Sequence, residues 1–179
     1  MQKIFSNPNI IILLGYMGCG KSTIGEQLAD ELNFAFIDLD DVLSAEQKCT
    51  IPELFQQKGP KEFRQLEHQT LIQVLKSTSK CVLSLGGGTP CYYDTMERID
   101  KVTPNVFYLN ASPMTLVKRL FSVKNSRPLI SHITTEENLK DFIAKHLFER
   151  KNFYTQAKHT INVDNKTITE VVKAIFKLI

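Results

Sequence analysis

The sequence predicts an α/β fold, in which a parallel five-stranded sheet is covered by helices on both faces. Short apolar runs alternate along the whole chain with longer segments of helical periodicity. The runs are almost continuously apolar, as is typical of parallel strands that are buried on both sides. The chain has 179 residues, of which 42% are hydrophobic, enough for one full core. We therefore expect a single domain over residues 1–179.

Each element is assigned from its own pattern. A strand is predicted where apolar residues run together, and a helix where they recur every three or four positions. Residues 61–76, for example, place Phe63, Leu66 and Val74 on one helical face. In order, the predicted elements are a strand over 9–14, a helix over 22–32, a strand over 34–38, helical sequence to 58, a helix over 61–76, strands over 81–85 and 105–110, helices over 113–121 and 135–157, a strand over 159–164 and a helix over 167–178.

The motif GYMGCGKS joins the first strand to the first helix. Gly15, Gly18 and Gly20 precede Lys21 and Ser22, and together they satisfy G-x-x-x-x-G-K-[ST] at every fixed position. A simple turn would need only one or two glycines. In this motif backbone N–H groups surround a phosphate, the lysine reaches the outer phosphates and the hydroxyl holds Mg²⁺. The following helix adds its dipole to the anion site. The motif therefore predicts binding of a nucleoside triphosphate.

Three aspartates follow the second strand, in the sequence FIDLDD. One interpretation is an N-cap with acidic residues in the first helical turn. Beside a phosphate loop, carboxylates could instead hold the water of a Mg²⁺ ion or take a proton from a hydroxyl nucleophile. Asp38 and Asp40 share one face if the strand continues, which leaves Asp41 as the expected cap.

Two arginines and a glycine run are further candidates for binding a small anion. Arg64 and Glu67 are three apart on a helix, either as a surface pair or with Glu67 orienting the Arg64 guanidinium towards a carboxylate or phosphate. The three glycines at 86–88 follow a strand and indicate backbone that another group approaches closely. Arg150 and Tyr154 share a helical face, where the simpler interpretation is a packed tyrosine covered by an arginine stem.

The segment VKRLFSVKNSRPLI is basic and contains a predicted helix break at Arg127–Pro128. A solvated loop is the simpler interpretation, and it is the stronger one for Lys118 and Lys124. A basic segment that a proline interrupts between two helices also suits a mobile lid over bound phosphates. We place this candidate lid at about residues 122–134.

Composition excludes several classes of function. A net charge of +3 without a dense basic run does not favour nucleic-acid binding. No apolar stretch approaches the ~20 residues that span a bilayer, and the short N-terminal apolar run leads into the motif, unlike a signal peptide. The cysteines form no C-x-x-C pair and no zinc spacing, which favours free thiols in a reducing cytoplasm. They are Cys19, Cys49, Cys81 and Cys91. We expect a cytoplasmic protein without nucleic-acid or membrane partners, and a monomer.

Taken together, these motifs resemble those of the shikimate kinases, which belong to the nucleoside-monophosphate-kinase-like branch of P-loop proteins. The resemblance covers essentially the whole chain, in order. Its motifs are GYMGCGKSTIG, FIDLD, IPELFQQKGPKEFRQLE, LSLGGG, SRPL and ERKNFYTQA. The phosphate loop is shared with many unrelated proteins, whereas the ordered set is much more specific.

The resemblance implies transfer of a phosphoryl group from ATP, with Mg²⁺, to the 3-hydroxyl of shikimate. It implies catalytic roles for Lys21, for Asp40 as the proton acceptor and for Arg127 from the lid. It implies nucleotide contacts by Gly18, Cys19, Gly20, Lys21, Ser22, Thr23, Arg119 and Arg127. It implies Ser22 and Asp38 for the metal, with Ser84 as a support through water. It implies shikimate contacts by Asp40, Arg64, Gly86, Gly87, Gly88 and Arg150, in which the two arginines bind the carboxylate.

The chain departs from the family pattern at three places. Pro60 and Ser44 stand where the family usually has glutamates, and VDNKTITE lacks a proline and is shorter than the usual loop. Because that loop normally frames adenine, the resemblance gives the least support to the contacts with the base, including stacking by Arg119. Cys19 has two open interpretations, a thiolate activated by Lys21 and the helix N-terminus, or a thiol that points inward and is inert.

Two other functions compete with this assignment. A kinase of another small acceptor, such as gluconate or a nucleoside monophosphate, would share the phosphate loop. A non-catalytic ATP-binding regulator would also use that loop, but it would need no acid, paired arginines and lid together. Formation of ADP that depends on shikimate separates these possibilities.

Overall fold

The computed structural model describes residues 7–179, and the five strands form one parallel sheet in the order β2-β3-β1-β4-β5. The strands are β1 (Ile10–Leu14), β2 (Ala35–Asp38), β3 (Cys81–Ser84), β4 (Val106–Asn110) and β5 (His159–Asn162). Every residue of β1 is buried, so both faces of this central strand are covered. The predicted five-stranded parallel sheet is confirmed, and both ends of each strand lie within two residues of the predicted bounds.

The helices are α1 (Lys21–Leu32), α2 (Leu39–Gln47), α3 (Ile51–Ser77), α4 (Thr95–Val102), α5 (Pro113–Leu120), α6 (Glu136–Tyr154) and α7 (Ile168–Phe176). Short 3₁₀ turns cover Thr89–Cys91 and Lys124–Ser126. Helix α4 was not predicted, because its buried apolar residues, Met96 and Ile99, are too few for a clear periodic pattern. Within residues 7–179, no helix is both long and apolar enough to cross a membrane.

A kink divides α3 into two parts. Gly59 has φ 71° and ψ 171°, outside the helical region, and Pro60 begins the second part. Proline is favoured at the first position of a helix because its missing N–H would be unpaired there. The predicted break between residues 58 and 61 is therefore confirmed. The second part of α3 carries Arg64 and Glu67 towards the end of β3.

The connection from β2 to α2 corrects one expectation. The strand ends at Asp38, α2 begins at Leu39, and the Asp38 carboxylate accepts a hydrogen bond from the Asp40 N–H over 3.1 Å. Asp38 is thus the N-cap, and the expectation that Asp41 caps the helix was wrong. The strand does not continue to Asp40, so the condition under which Asp38 and Asp40 would share one strand face is not met. Asp38 has the extended conformation in which a capping oxygen reaches the N–H two residues on.

Candidate active site

The phosphate-loop motif forms the turn between β1 and α1. Gly18 and Gly20 have φ of 79° and 105°, in the left-handed region that glycine tolerates best. Gly20 is the N-cap of α1, and no side chain caps the helix there. The Lys21 ammonium reaches back across the loop and donates to Gly15 O over 2.9 Å and to Tyr16 O over 3.3 Å. The loop thus presents a helix N-terminus and a cation at one point, which suits a phosphate.

A cavity of about 560 Å³ opens at the carboxyl ends of the strands. The lining contains most of the residues that the sequence predicts for the nucleotide, the metal and the acceptor: Gly18, Cys19, Gly20, Lys21, Ser22, Thr23, Asp38, Asp40, Ser84, Gly86, Gly87, Arg119 and Arg127. Arg64, Gly88 and Arg150 lie outside that lining. Arg150 nevertheless contacts Gly87 of the cavity wall, and Arg64 reaches the wall at Gly86 through its partner Glu67.

Oxygen donors from α1 and from the end of β2 meet beside the phosphate loop. Ser22 Oγ donates to Asp38 Oδ2 over 3.2 Å. The pKa of Asp40 is raised to about 6, first by burial and then by the negative charges of Asp38 and Glu67, while Lys21 and Arg64 oppose the shift. At neutral pH Asp40 is therefore ionised, and it binds a proton more readily than an exposed aspartate. Such a carboxylate is suited to take a proton from a hydroxyl group.

Arg64 forms an ion pair with Glu67 and packs against the glycine run. Arg64 Nη1 lies 2.6 Å from Glu67 Oε2, and Thr89 Oγ1 donates to the other oxygen of Glu67 over 2.7 Å. The predicted orientation of Arg64 by Glu67 is confirmed. A Cβ atom on Gly88 would lie only 2.5 Å from Arg64 Nη2. A Cβ atom on Gly86 would lie 2.9 Å from Asp40 Oδ1 and from Glu67 Oε1. The predicted close approach to this backbone is therefore confirmed.

Arg150 reaches the same glycine run from α6. Its Nη1 donates to Gly87 O over 3.3 Å, and its guanidinium carbon lies 5.3 Å from the centroid of the Tyr16 ring. The Tyr154 hydroxyl donates to Gly87 O as well. Tyr154 is fully buried, so it is a packed tyrosine as the simpler interpretation had it. The arginine nevertheless does more than cover it, because its guanidinium contacts the loop between β3 and the 3₁₀ turn.

We expect Gly88→Ala to reduce kcat/KM for the acceptor about 10- to 100-fold, because the new methyl group displaces the Arg64 guanidinium. The protein should still fold, since the crowded atom is the end of a flexible side chain. Steady-state kinetics and a melting curve measure both quantities. In an Arg64→Ala background the new methyl group has room, so Gly88→Ala should reduce kcat/KM little further. A loss of kcat/KM as large as in the parent background would contradict this explanation.

Two basic residues near the candidate lid make specific contacts. Arg119 Nη1 donates to Gly18 O and Cys19 O, over 3.1 Å in each case, so α5 is attached to the phosphate loop. Lys124 Nζ donates to Ile133 O and lies 4.5 Å from the centroid of the Phe121 ring. The interpretation of Lys124 as a solvated loop residue was therefore wrong. Arg127 is exposed and lines the cavity.

Cys19 is fully buried, which favours the inward orientation of the thiol, and its sulfur lies 4.0 Å from Lys21 Nζ, the neighbour on which the interpretation as a thiolate depends. The segment VDNKTITE, the counterpart of the family loop that frames adenine, lines the cavity through Val163, Lys166, Thr167 and Ile168. Val171, farther along α7, also lines the cavity and was not predicted, although its place just beyond a strand of a parallel sheet was a signal that could have found it.

A phosphate loop at the end of β1, on a parallel sheet of this strand order, defines a P-loop nucleotide-binding fold of the nucleoside-monophosphate-kinase-like branch. The sequence profile described as "Shikimate kinase" matches residues 17–179. A shikimate kinase from Flavobacterium johnsoniae is 44% identical over 172 residues, which cover 94% of this chain and 98% of that protein. The chain therefore belongs to the shikimate kinase family, and it is a kinase.

Solved structures agree with this assignment. The shikimate kinase from Bacteroides thetaiotaomicron is 38% identical, with a TM-score of 0.87 over 94% of this chain and 97% of that one. The shikimate kinase from Acinetobacter baumannii, in complex with shikimate, is 28% identical, with a TM-score of 0.84 over 96% and 92% of the two chains. A gluconokinase from Sinorhizobium meliloti 1021 is 17% identical, with a TM-score of 0.60 over 96% and 91%, which shows a shared fold only.

Proposed function

We propose that this protein transfers the γ-phosphoryl group of ATP to the 3-hydroxyl of shikimate, which gives shikimate 3-phosphate and ADP. The hydroxyl oxygen bonds to the γ-phosphorus as its proton passes to Asp40, and the bond from that phosphorus to the bridging oxygen of ADP breaks. Lys21 and Arg127 neutralise charge on the transferring group. Phosphoryl transfer depends mainly on such positioning and charge stabilisation.

The convergence of Arg64 and Arg150 on one short loop carries this proposal. Arg150 Nη1 donates to Gly87 O, and Arg64 lies against the neighbouring Gly88. Two planar guanidinium groups so placed suit a carboxylate, which each of them can bind through two N–H groups. Asp40 lies against Gly86 of the same loop, where it can meet the hydroxyl groups of the same small acceptor.

A Mg²⁺ ion fits the oxygen donors beside the phosphate loop. Ser22 Oγ and Asp38 Oδ2 are neighbours, and Mg²⁺ prefers such ligands together with water and substrate phosphates. Between residues 7 and 179, no group of three or more His, Cys, Asp or Glu is arranged to hold a metal. Ser22 and Asp38 would hold a Mg²⁺ ion that arrives with ATP. Such an ion reduces the negative charge on the phosphates.

The nucleotide and the lid complete the proposal. The ATP phosphates contact the loop from Gly18 to Thr23, and adenine lies between Arg119 and the segment after β5. Residues 122–134 form a lid that brings Arg127 to the phosphates, within a single domain over residues 1–179. The protein acts as a monomer in the cytoplasm, where ATP is available and its free cysteines stay reduced, and it needs no nucleic acid.

A comparison of acceptors tests the proposal. With ATP and Mg²⁺, we expect ADP formation that depends on shikimate and is far slower with gluconate, AMP or quinate. A preference for gluconate or AMP would assign a different acceptor. ATP binding without turnover of any of these acceptors would indicate a non-catalytic regulator.

Loss of Arg64 or Arg150 should each reduce kcat/KM for shikimate about 10- to 150-fold, as expected for hydrogen bonds to a charged group. The two losses should not add, since one missing arginine already misplaces the carboxylate. A shikimate analogue with the carboxylate reduced to an alcohol should be a poor substrate of the parent. In the double alanine variant the difference between acid and alcohol should nearly vanish; an unchanged preference for the acid would show that these arginines do not bind the carboxylate.

A further inference from the structure

Arg64 has aromatic neighbours in addition to its ion pair with Glu67. Its guanidinium carbon lies 4.6 Å from the centroid of the Tyr92 ring and 4.9 Å from that of the Phe63 ring. A cation within about 6 Å of a ring centroid is attracted to the face of the ring. Phe63 adjoins Arg64 in the sequence, whereas Tyr92 comes from a different part of the chain. The contact with Tyr92 therefore depends on how the loop after β3 folds.

That loop places Tyr92 through a short series of backbone contacts. The 3₁₀ turn over Thr89–Cys91 starts directly after Gly88, with Cys91 N donating to Gly88 O over 2.9 Å. Thr89 attaches the turn to Glu67, the ion-pair partner of Arg64. Tyr92 is the first extended residue after the turn. Gly88, which has no side chain, leaves room for the Arg64 guanidinium, and the turn that follows Gly88 brings the Tyr92 ring against the same guanidinium.

The next residue, Tyr93, provides an internal comparison. Its backbone turns into the left-handed region at φ 55°, and its ring lies 4.9 Å from the ring of His68 instead of beside Arg64. The two tyrosines are similarly exposed, at 45% for Tyr92 and 57% for Tyr93. The two tyrosines therefore have similar exposure, but the Tyr92 ring contacts Arg64 whereas the Tyr93 ring contacts His68.

We propose that Tyr92 is a positioning residue for the acceptor, which acts by holding the Arg64 guanidinium ready for the carboxylate. This inference rests on the proposed function, because it assumes that Arg64 binds that group. An arginine side chain has many rotamers, and fixing one of them before the substrate arrives lowers the cost of binding. The ring face restricts the guanidinium, and the Glu67 carboxylate sets its orientation.

Kinetics of four variants test this role. Tyr92→Ala should raise the shikimate KM about two- to fivefold, the effect of an exposed cation–π contact, with kcat and the ATP KM near parent values. Tyr92→Phe keeps the ring and should restore the parent KM. Tyr93→Ala, the matched control, should leave the shikimate KM unchanged. In an Arg64→Ala background, Tyr92→Ala should have no further effect.

The alcohol analogue of shikimate distinguishes positioning from a general structural role. If Tyr92 acts through Arg64, Tyr92→Ala weakens use of the acid and leaves use of the alcohol unchanged. Equal losses for the acid and the alcohol, or equal effects of Tyr92→Ala and Tyr93→Ala, would overturn the inference while the proposed function stands. A parent protein that forms no ADP with shikimate would overturn the proposed function, and this inference with it.

Discussion

Lys21→Ala should lower kcat/KM by at least about 10³-fold and leave the protein folded. The ammonium is the cation of the phosphate loop, and charge that is stabilised in the transition state is among the largest contributions to catalysis. The ammonium donates to the loop carbonyls of Gly15 and Tyr16 and lies 4.0 Å from Cys19 Sγ, so its loss removes polar contacts within the loop and no apolar packing of the core. A coupled assay for ADP and a circular dichroism melting curve measure activity and folding.

Lys58→Ala is the matched control for that variant. Lys58 is an exposed lysine of α3 whose ammonium lies 3.0 Å from Glu62 Oε1, and such surface pairs contribute little to stability. We expect it to keep parent activity. Activity close to the parent value in Lys21→Ala would refute the assignment of the phosphate loop.

Asp40→Asn should lower kcat about 10²- to 10⁴-fold, because the amide has nearly the same shape but cannot accept the hydroxyl proton. Asp41→Asn is the control one residue away. Asp41 is exposed on the first turn of α2 and does not line the cavity. It should keep parent kcat. Equal losses in the two variants would show that the effect comes from the helix terminus and not from proton transfer.

Because the pKa of Asp40 is raised, activity and stability should change in opposite directions as the pH rises. The parent kcat/KM should fall below pH 6, about tenfold per pH unit, as the carboxylate becomes protonated. Below the ordinary pKa of 3.8, Asp40 is protonated in both the folded and the unfolded protein, and the folded state keeps the full stability that the protonated form contributes. This contribution to the free energy of unfolding is lost as the pH rises through about 6, because the buried carboxyl group must then ionise. Asp40→Asn should therefore be more stable than the parent at pH 8, by up to about 3 kcal/mol, with no difference near pH 3. Denaturant unfolding at the two pH values measures this.

The parts of the site that follow from local sequence could be predicted. Fixed spacing determines the phosphate loop, because its glycines and Lys21 act through one continuous turn. The pairing of Arg64 with Glu67 follows from helical geometry, which places residues three apart side by side. The break before Pro60 follows from proline chemistry.

Contacts between distant segments could not be predicted in the same way. The attachment of Arg119 to the carbonyls of Gly18 and Cys19 joins residues about one hundred positions apart, and no local pattern specifies it. The Tyr92 ring meets Arg64 only because of the turn that separates it from Gly88. The error at Asp38 has a different cause, since both Asp38 and Asp41 are favourable near a helix N-terminus, and the choice between them depends on where the strand ends.

Gly87 is close to both the phosphate loop and Arg150. A Cβ atom on Gly87 would lie 3.4 Å from Met17 N of the phosphate loop and 3.6 Å from Arg150 Nη1. Gly87 thus lies between the phosphate loop and the arginine that we propose binds the acceptor. Transfer requires reacting atoms about 3–3.5 Å apart, and an error of about 1 Å can cost 100-fold in rate. In the proposed reaction the two substrates therefore meet at one peptide, and a side chain at position 87 would press on both the loop and the Arg150 guanidinium and so misalign the reacting atoms.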